Sequence, residues 1–480
     1  MRRLRPFALA GVALCAATVC TLAAPTRASA QGFTIGFSAD PALTGNTPSD
    51  DAVWIPRAVA EGASIVRLNL IWSQVAPRVR PAGFAPADPS SPGYDWSTVD
   101  ASVRALAGHG LKVLLNITGA PSWAEGPAPP PGASPGSWRP DPAQFASFAT
   151  AAALRYDGRF PDPLQPGAVL PRVRYWQPWN EPNLSLYLSP QWTRSGSGWA
   201  PASPVIYRRL LNAFYRAVKR ISASNFVVTA GTAPYGDPPG GQRMPPVAFD
   251  RTLFCLRDDA RLTPTRCPDP PRLDALSHHP YGIQGPLWHA LNPDDAAVPD
   301  VYKIARVLHA AEHAGHVEPA GPKRLWATEI SWDSAPPDPD GVPAAEQARW
   351  LEQALYVLWR QGVNTVLWLQ IVDSPPVPSY GATYQAGLYD LAGVAKPAAA
   401  AYRFPFVTRR LDRGHIQAWG RAPRSGKIAI EVQRRGRWVV LRRLRVRSDQ
   451  VFQAVLPVRG RAALRAQADP DTSLTWTQGG

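Results

Sequence analysis

Two glutamates lie where apolar strands of the predicted fold end, and a pair of carboxyl groups can do acid–base chemistry. Glu181 ends one such strand, and Glu329 lies near the end of another. The proline that follows Glu181 should hold this residue in an extended conformation and stop the strand. Strand alternation places Glu329 on one face with Leu325 and Ala327.

The presence of two such glutamates, both at strand ends, indicates what they do. A glutamate is expensive to bury unpaired in an apolar strand, and a single one is as readily a structural ion pair as a catalytic group. Two of them, on the fourth and seventh strands of one sheet, favour chemistry. Two carboxyls held close together cannot both ionise freely, so one stays protonated and the other anionic. Cleavage of a glycosidic bond needs this combination of an acid and a nucleophile.

The elements that must position these residues alternate between strand and helix. Asp141-Pro142 and Ser203-Pro204 are typical helix starts, and apolar stripes at helical spacing run through 302–313 and 344–361. Eight such units predict a parallel sheet closed into a (β/α)₈ TIM barrel. A doubly wound open sheet is the alternative, but no glycine-rich turn follows the first strand. The predicted strands are 33–38, 65–71, 112–118, 173–179, 226–230, 273–277, 324–329 and 364–370.

The segments that follow the strands are long and rich in proline and glycine. In a barrel these loops build the C-terminal face, where a substrate cleft forms. The five longest are 120–140, 232–247, 282–298, 332–343 and 372–387.

The chain changes character near residue 410. Short strand-like runs separated by Gly/Arg turns predict a small C-terminal β-sandwich, so we expect a barrel over 31–408 and a sandwich over 412–476. The formal net charge of +15 is concentrated in this tail, because residues 412–480 hold 14 Lys+Arg and 5 Asp+Glu. We expect the tail to brace the barrel or act as a spacer, and expect no nucleic-acid partner. Binding of anionic polymers by the tail is one alternative, and a carbohydrate-binding role is another.

The first thirty residues have the pattern of a secretory signal peptide. Arginines precede an apolar run, and Ala28-Ser29-Ala30 offers a cleavage site. We therefore expect a secreted, extracellular protein without stable membrane insertion, since no later run reaches the roughly 18–20 apolar residues that a span needs. Cys255 and Cys267 remain after cleavage and predict one local disulfide. A two-ligand metal site is the weaker interpretation, because no CxxC or histidine pair stands beside them.

These residues carry a family resemblance. The segment WNEPN at 179–183 on strand four, with Thr328-Glu329 on strand seven, resembles the retaining (β/α)₈ glycoside hydrolases of clan A type, above all the cellulase-like and β-xylosidase-like members. The resemblance covers residue 33 to about 405. Four further motifs agree in order: VRL at 66–68, PSW at 121–123, HPY at 279–281, and Trp368 on strand eight.

The resemblance implies a role for each polar residue. Glu181 would be the acid/base and Glu329 the nucleophile of a double displacement. Asn180 would hydrogen-bond the sugar 2-hydroxyl. Tyr281 and Arg67 would hold Glu329 in its anionic form. Such a mechanism requires carboxyl groups about 5–5.5 Å apart and gives retention of configuration.

Histidine and tryptophan side chains complete the expected cleft. Adjacent residues on a strand face opposite sides, so at most one of His278 and His279 enters the cleft, and the resemblance places His279 there. Neighbours on a strand cannot converge on one ion, so we expect no metal site. Flat apolar rings suit the faces of pyranose rings. The resemblance makes Trp368 the floor of the sugar site, and the other candidates are Trp123, Trp179 and Trp332.

We therefore expect a secreted retaining glycoside hydrolase that cleaves a β-linked glycoside or polysaccharide. We expect it to work as a monomer without a cofactor, and with carbohydrate as its partner. A non-catalytic carbohydrate-binding pseudoenzyme is the first alternative, although a binding protein has no need of both glutamates. A transglycosylase on the same scaffold is the second. The sequence does not identify the sugar, the linkage, or endo against exo action.

Overall fold

A computed structural model describes residues 32–38, 40–45 and 48–479 of the 480-residue chain. The predicted signal peptide lies outside the described residues. The chain from Gly32 onward forms one compact unit, in which the barrel and the C-terminal strands pack together.

Eight parallel strands form the barrel. Their pairing order is β5-β4-β3-β2-β1-β8-β7-β6, and single parallel bridges from Val228 to Ala275 and from Thr232 to His278 close the ring. The TIM barrel is therefore confirmed, and an open sheet is excluded. The strands are β1 (Thr34–Ser38), β2 (Ile65–Ile71), β3 (Lys112–Thr118), β4 (Tyr175–Pro178), β5 (Phe226–Val227), β6 (Ala275–His278), β7 (Arg324–Ile330) and β8 (Val363–Trp368).

Helices surround the barrel and begin where their sequence signals predict. Asp141 caps α5 by accepting hydrogen bonds from Ala143 N at 2.7 Å and Gln144 N at 3.0 Å. No helix within the described residues has the length and apolar character needed to cross a membrane. The helices are α1 (Pro41–Thr44), α2 (Pro48–Ala60), α3 (Trp72–Val75), α4 (Ser97–Gly108), α5 (Pro142–Arg155), α6 (Ser203–Ile221), α7 (Pro246–Leu253), α8 (Val301–His313), α9 (Ala344–Arg360) and α10 (Pro397–Arg403).

The barrel interior has an apolar floor and a polar upper layer. The floor consists of Ile65, Leu114, Val228, Ala275, Trp326 and Leu367. The upper layer lies toward the C-terminal ends of the strands and includes Arg67, Asn116, Gln177, Ser277 and Thr328, all fully buried. Buried polar groups must be hydrogen-bonded, so this layer forms a connected network under the mouth of the barrel.

The long loops after the strands contain little regular structure. After β4, a hairpin of Trp192–Ser195 and Gly198–Pro201 projects from the C-terminal face. After α7, Cys255 and Cys267 form the predicted disulfide.

The tail forms two small sheets with eight strands among the described residues. One sheet has the order β9-β10-β13, and the other has β12-β11-β14-β15 with β16 beside β14. Trp419, Ile430 and Leu464 are fully buried in the core of the tail. The strands are β9 (Phe406–Arg410), β10 (His415–Arg421), β11 (Gly426–Arg434), β12 (Arg437–Val446), β13 (Val451–Pro457), β14 (Ala462–Ala468), β15 (Asp471–Thr472) and β16 (Trp476–Gln478).

Four arginines of the tail lie on β12, which is an edge strand. Arg437, Arg442, Arg443 and Arg445 are exposed and form no ion pair with any residue that the structure describes. Charged side chains on an edge strand prevent it from pairing with other chains. These four arginines therefore have a role that involves no polyanionic partner.

A buried arginine joins the tail to the barrel. Arg421 donates from Nε to Phe33 O and from Nη2 to Gly62 O, both at 3.1 Å, and pairs with Asp449 at 2.6 Å. The two carbonyls precede β1 and β2, so the tail contacts the N-terminal end of the barrel. Trp419 adds a ring contact with Phe33 at 6.1 Å between centroids. A tail that braces the barrel requires contacts of this kind.

We predict that Arg421→Ala lowers the free energy of unfolding by about 2–4 kcal/mol, because buried carbonyl groups lose their donor. Arg424→Ala is the matched control, since Arg424 is half-exposed in its pair with Asp471, and should cost less than about 1 kcal/mol. Urea unfolding measures both. Equal losses in the two variants would contradict the bracing role of Arg421.

Candidate active site

The backbone at the end of β4 leaves the regular strand conformation. Trp179 has φ of 78° and Glu181 has φ of 34°, so the expected extended conformation of Glu181 is wrong. Hydrogen bonds impose this backbone: Trp179 N donates to Ile117 O at 2.7 Å, and Glu181 N donates to Gly231 O at 3.1 Å. In the amide orientation that satisfies its neighbours, Asn116 donates to Trp179 O at 2.7 Å. Positive φ at two non-glycine residues is strained, at roughly 1–3 kcal/mol each.

The irregular backbone moves Trp179 out of the cleft. Its side chain is fully buried against Phe145 of α5, with 5.4 Å between ring centroids, and its indole donates to Tyr187 O at 2.7 Å. The sequence-based prediction of a sugar contact is therefore wrong, because the reversal of φ turns the ring toward the helices. Asn180, the next residue, faces the barrel mouth instead and accepts a hydrogen bond from Arg67.

A second irregularity, in β7, orients Glu329. Trp326 faces the apolar floor of the barrel, and Thr328 bonds to Gln177 inside it. Regular alternation would therefore turn Glu329 outward, with Leu325 and Ala327. The pairing with β8 contains one extra residue in β7, between the pairs Val366–Ala327 and Trp368–Ile330. This bulge redirects the Glu329 carboxylate to the barrel mouth, which corrects the expectation that it shares a face with Leu325 and Ala327.

Arg67 of β2 connects the groups at the mouth. Its fully buried guanidinium donates from Nε to Gln177 Oε1 at 2.5 Å and from Nη2 to Asn180 Oδ1 at 2.7 Å. Nη1 donates to Ser38 Oγ at 3.3 Å and forms an ion pair with Glu329 Oε1. Three strands other than its own therefore supply acceptors to one cation, which is a rigid arrangement.

The surroundings of Glu329 favour its anionic form. Burial alone would raise the pKa of Glu329, but the charges of His279 and Arg67 and the hydrogen bonds from Tyr281 and Arg67 outweigh burial and lower it. The Tyr281 hydroxyl donates to Oε2 at 3.0 Å. Burial and the two nearby glutamates raise the pKa of Tyr281 well above its ordinary range, so the hydroxyl keeps its proton.

His279 lies between the two carboxylates. Its Nδ1 is 2.9 Å from Glu181 Oε1 and 3.6 Å from Glu329 Oε2. Its Nε2 is 3.0 Å from Thr328 Oγ1. The Nδ1 proton is directed at Glu181 Oε1, and Thr328 Oγ1 is the hydrogen-bond partner of Nε2. Its neighbour His278 points away, with Nδ1 2.9 Å from Thr232 Oγ1 and Nε2 2.7 Å from Ala296 O. Burial lowers the pKa of His278 to about 4, so it stays neutral.

The two carboxylates are close enough to act on one bond. An oxygen of Glu181, a nitrogen of His279 and an oxygen of Glu329 all lie within 4.8 Å of one another. Three such groups can hold a cation, but a cation here would lie beside the Arg67 guanidinium that already pairs with Glu329. The arrangement therefore fits proton transfer and nucleophilic attack better than metal binding.

Comparison with known proteins bears on the fold. The chain matches no protein-family model and no curated protein sequence. A family 39 glycoside hydrolase from Bacteroides cellulosilyticus WH2 is 18% identical, with a TM-score of 0.53 over 89% of this chain and 81% of that one. A GH39 β-xylosidase from Caulobacter crescentus is 15% identical, with a TM-score of 0.51 over 89% and 97%. The chain has the fold of these glycoside hydrolases. The resemblance seen in the sequence is thus confirmed for the fold.

The other predicted tryptophans of this glycoside hydrolase fold have little free surface. Trp368 is 2% and Trp332 6% exposed, their rings are 6.2 Å apart, and the Trp368 indole donates to Ala386 O at 2.7 Å. They offer at most a ring edge to a sugar. Trp123 is half-buried, and its indole donates to Pro77 O at 2.8 Å.

Two tyrosines that the sequence analysis missed approach the carboxylates. Burial and the negative charges of Glu181 and Glu329 raise the pKa of Tyr187 to about 12. Burial, followed by the negative charges of Glu329 and Glu181, also raises the pKa of the exposed Tyr384. Both belong to long loops, where sequence periodicity gives no signal. Gly231 was missed too, although it follows the predicted fifth strand directly.

Gly231 allows His279 to reach Glu181. A Cβ at this position would lie 2.1 Å from His279 Cδ2, which no real contact permits. We predict that Gly231→Ala displaces the imidazole and lowers the free energy of unfolding by about 1–3 kcal/mol. A crystal structure and urea unfolding measure the two effects. Gly381→Ala is the control, because no heavy atom lies within 4 Å of its added Cβ. An unmoved His279 with unchanged stability would contradict this account.

Proposed function

We propose that the protein is a secreted retaining glycoside hydrolase acting on β-linked sugars. One observation carries the proposal: an oxygen of Glu181, which follows β4, and an oxygen of Glu329 on β7 lie within 4.8 Å of each other, and the two carboxylates have different surroundings. Glu329 pairs with a buried guanidinium, whereas Glu181 bonds to an imidazole. This short separation is compatible with retention, since inverting enzymes need about 6.5–9.5 Å to admit a water.

The first step would form a glycosyl-enzyme. Anionic Glu329 attacks the anomeric carbon, the bond from this carbon to the leaving oxygen breaks, and Glu181 gives its proton to that oxygen. In the second step Glu181 takes a proton from water, the water oxygen bonds to the anomeric carbon, and Glu329 leaves as the carboxylate. The network around Arg67 holds Glu329 ready for attack without further rearrangement.

Asn180 is oriented to bind the sugar. Its Oδ1 accepts from Arg67 Nη2 at 2.7 Å, so the amide nitrogen is directed away from the guanidinium. Among the described residues, this nitrogen has no hydrogen-bond acceptor, and the side chain is partly exposed. It can therefore donate to a hydroxyl next to the anomeric carbon. The Arg67–Asn180 bond thus fixes the orientation of an amide that the sequence alone leaves free to rotate.

Several observations support the substrate class and the location. The structures of similar fold include β-xylosidases, which supports a β-linked substrate. The disulfide and the N-terminal signal sequence support export. A binding protein without catalysis would not need both carboxylates together with their supporting groups, which disfavours a pseudoenzyme.

We predict that Glu329→Ala lowers kcat on aryl β-glycosides by about 10⁴-fold or more, because no nucleophile remains. Glu181→Ala should lose about 10²–10⁴-fold, with the larger loss for poor leaving groups that need protonation. Hydrolysis of aryl β-glucoside, β-xyloside and β-mannoside measures both. Exposed Glu346 of α9 gives the control Glu346→Ala. Undiminished activity in Glu329→Ala, or an inverted product anomer by NMR, would refute the proposal.

We also predict that Tyr281→Phe moves the acidic limb of the pH profile of kcat/KM to higher pH. Activity requires anionic Glu329, whose pKa lies below its ordinary value of 4.5. The Tyr281 hydroxyl bonds to the charged form, so its removal raises this pKa, and activity is then lost earlier as the pH falls. Tyr302→Phe, on an exposed tyrosine, should leave the limb in place. A limb that stays fixed in Tyr281→Phe would show that the hydroxyl does not tune Glu329.

A further inference from the structure

A cavity lies between the loops that follow β5 and β6. Its volume is about 360 Å³. Its walls include Tyr235, Ile283, Trp288, Leu291, Asn292 and Asp295. For comparison, an engineered apolar cavity of about 150 Å³ accommodates benzene. The space is therefore sufficient for an aromatic ring or a branched hydrocarbon group.

One wall of the cavity belongs to a loop that is hydrogen-bonded to the segment carrying Glu181. The loop after β5 begins at Gly231, whose carbonyl accepts from Glu181 N at 3.1 Å. Ala233 N donates to Asn183 Oδ1 at 2.8 Å, which holds the same loop against the segment carrying Glu181. Tyr235 then lines the cavity. Because Glu181 gives its proton to the leaving oxygen, the group attached to that oxygen extends toward this loop.

The second wall also begins at the catalytic centre. Tyr281 bonds to Glu329, and its backbone oxygen accepts from the Tyr235 hydroxyl at 3.2 Å. The Trp332 indole holds the segment directly after Tyr281, because it donates to Gly282 O at 2.9 Å and to Gln284 O at 3.1 Å. The cavity walls are thus continuous with the residues that position the nucleophile.

Large apolar side chains on this wall are exposed. Ile283 is 82%, Trp288 58% and Leu291 95% exposed, and Leu287 in the same loop is 59% exposed. Four such residues lie within nine positions, and exposed apolar side chains clustered in this way mark binding sites.

The charged groups of the cavity are already engaged. Asp295 accepts from Gly236 N at 2.9 Å and from Asn292 Nδ2 at 2.9 Å. Arg243 pairs with Asp237 at 2.6 Å. A further sugar ring would need hydrogen bonds for several hydroxyls, whereas Asp295, Asn292 and Arg243 already bond to other residues. Among the described residues, the Gln284 amide is a polar group of the lining without such a partner. The lining therefore suits an apolar ligand.

We propose that this cavity binds an apolar aglycone, so that the substrate is a β-glycoside of an alkyl or aryl group rather than an extended polysaccharide. The inference rests on the proposed function, because the position of Glu181 as acid defines the leaving-group side. Trp288 and Leu291 would cover the hydrocarbon, and Tyr235 would form the wall nearest the cleaved bond.

Calorimetry on the inactive Glu329→Gln protein tests binding without turnover. The probes are octyl and methyl β-glucoside, below the concentration at which the octyl compound forms micelles. Each buried methylene contributes about fourfold in affinity, so the octyl compound should bind at least about tenfold more tightly. Adding Trp288→Ala or Leu291→Ala should abolish most of this preference. Leu164→Ala is the matched control, since Leu164 is 73% exposed and lies in the loop between α5 and β4.

Three results would overturn the inference. The octyl preference could be absent, it could survive both cavity substitutions, or the Leu164→Ala control could lose it equally. Concentration-dependent dimerisation that Leu291→Ala abolishes would assign the patch to a second copy of the chain. Vesicle binding that Leu291→Ala abolishes, without any octyl preference, would assign it to a membrane surface.

Kinetics of the active protein separates this inference from the proposed function. For the glycosyl group that the aryl-glycoside screen selects, the ratio of kcat/KM for octyl to methyl glycosides should fall at least tenfold in Trp288→Ala. A wild-type protein that binds the octyl probe selectively but cleaves no glycoside would refute only the proposed function. One that hydrolyses glycosides without any aglycone preference would refute only the cavity assignment.

Discussion

A buried cation organises the mouth of this barrel. The guanidinium of Arg67 has no contact with solvent, and a buried charge is tolerated only when it is paired and fully hydrogen-bonded. Its acceptors come from β1 (Ser38), β4 (Gln177 and Asn180) and β7 (Glu329). Satisfying this one group therefore sets the relative positions of four strands. It also explains how a carboxylate can be both buried and anionic at the base of a cleft.

The cost of building the site is a departure from regular β structure at two strand ends. In β4, positive φ at Trp179 and Glu181 turns the indole outward and the carboxylate inward. In β7, an extra residue reverses the side on which Glu329 would otherwise project. Strain of this kind persists only where the surroundings over-determine it, and here the surrounding hydrogen bonds of Ile117 and Gly231 do so. Both carboxylates thus depend on irregularities for their orientation.

The two ends of the barrel serve different purposes. At the C-terminal end, the loops after β5 and β6 continue from the carboxylates into an apolar cavity. At the N-terminal end, Arg421 holds the tail to the starts of β1 and β2. Exposed arginines of the tail lie on the edge strand β12, on β11 and in the connecting turns, whereas the cation at the barrel mouth is the buried Arg67.

The sequence by itself determined the eightfold strand–helix alternation, the tail sheets, the cysteine pair and the two glutamates at strand ends, because periodicity and local helix signals act over a few residues. Strand alternation also predicted correctly that His278 and His279 face opposite sides. Only the tertiary structure decided that Trp179 faces the helices, that a bulge aims Glu329 inward, and that loop residues such as Tyr187 and Trp288 surround the site. Those outcomes depend on hydrogen bonds and packing between segments far apart in the chain, and no local pattern encodes them.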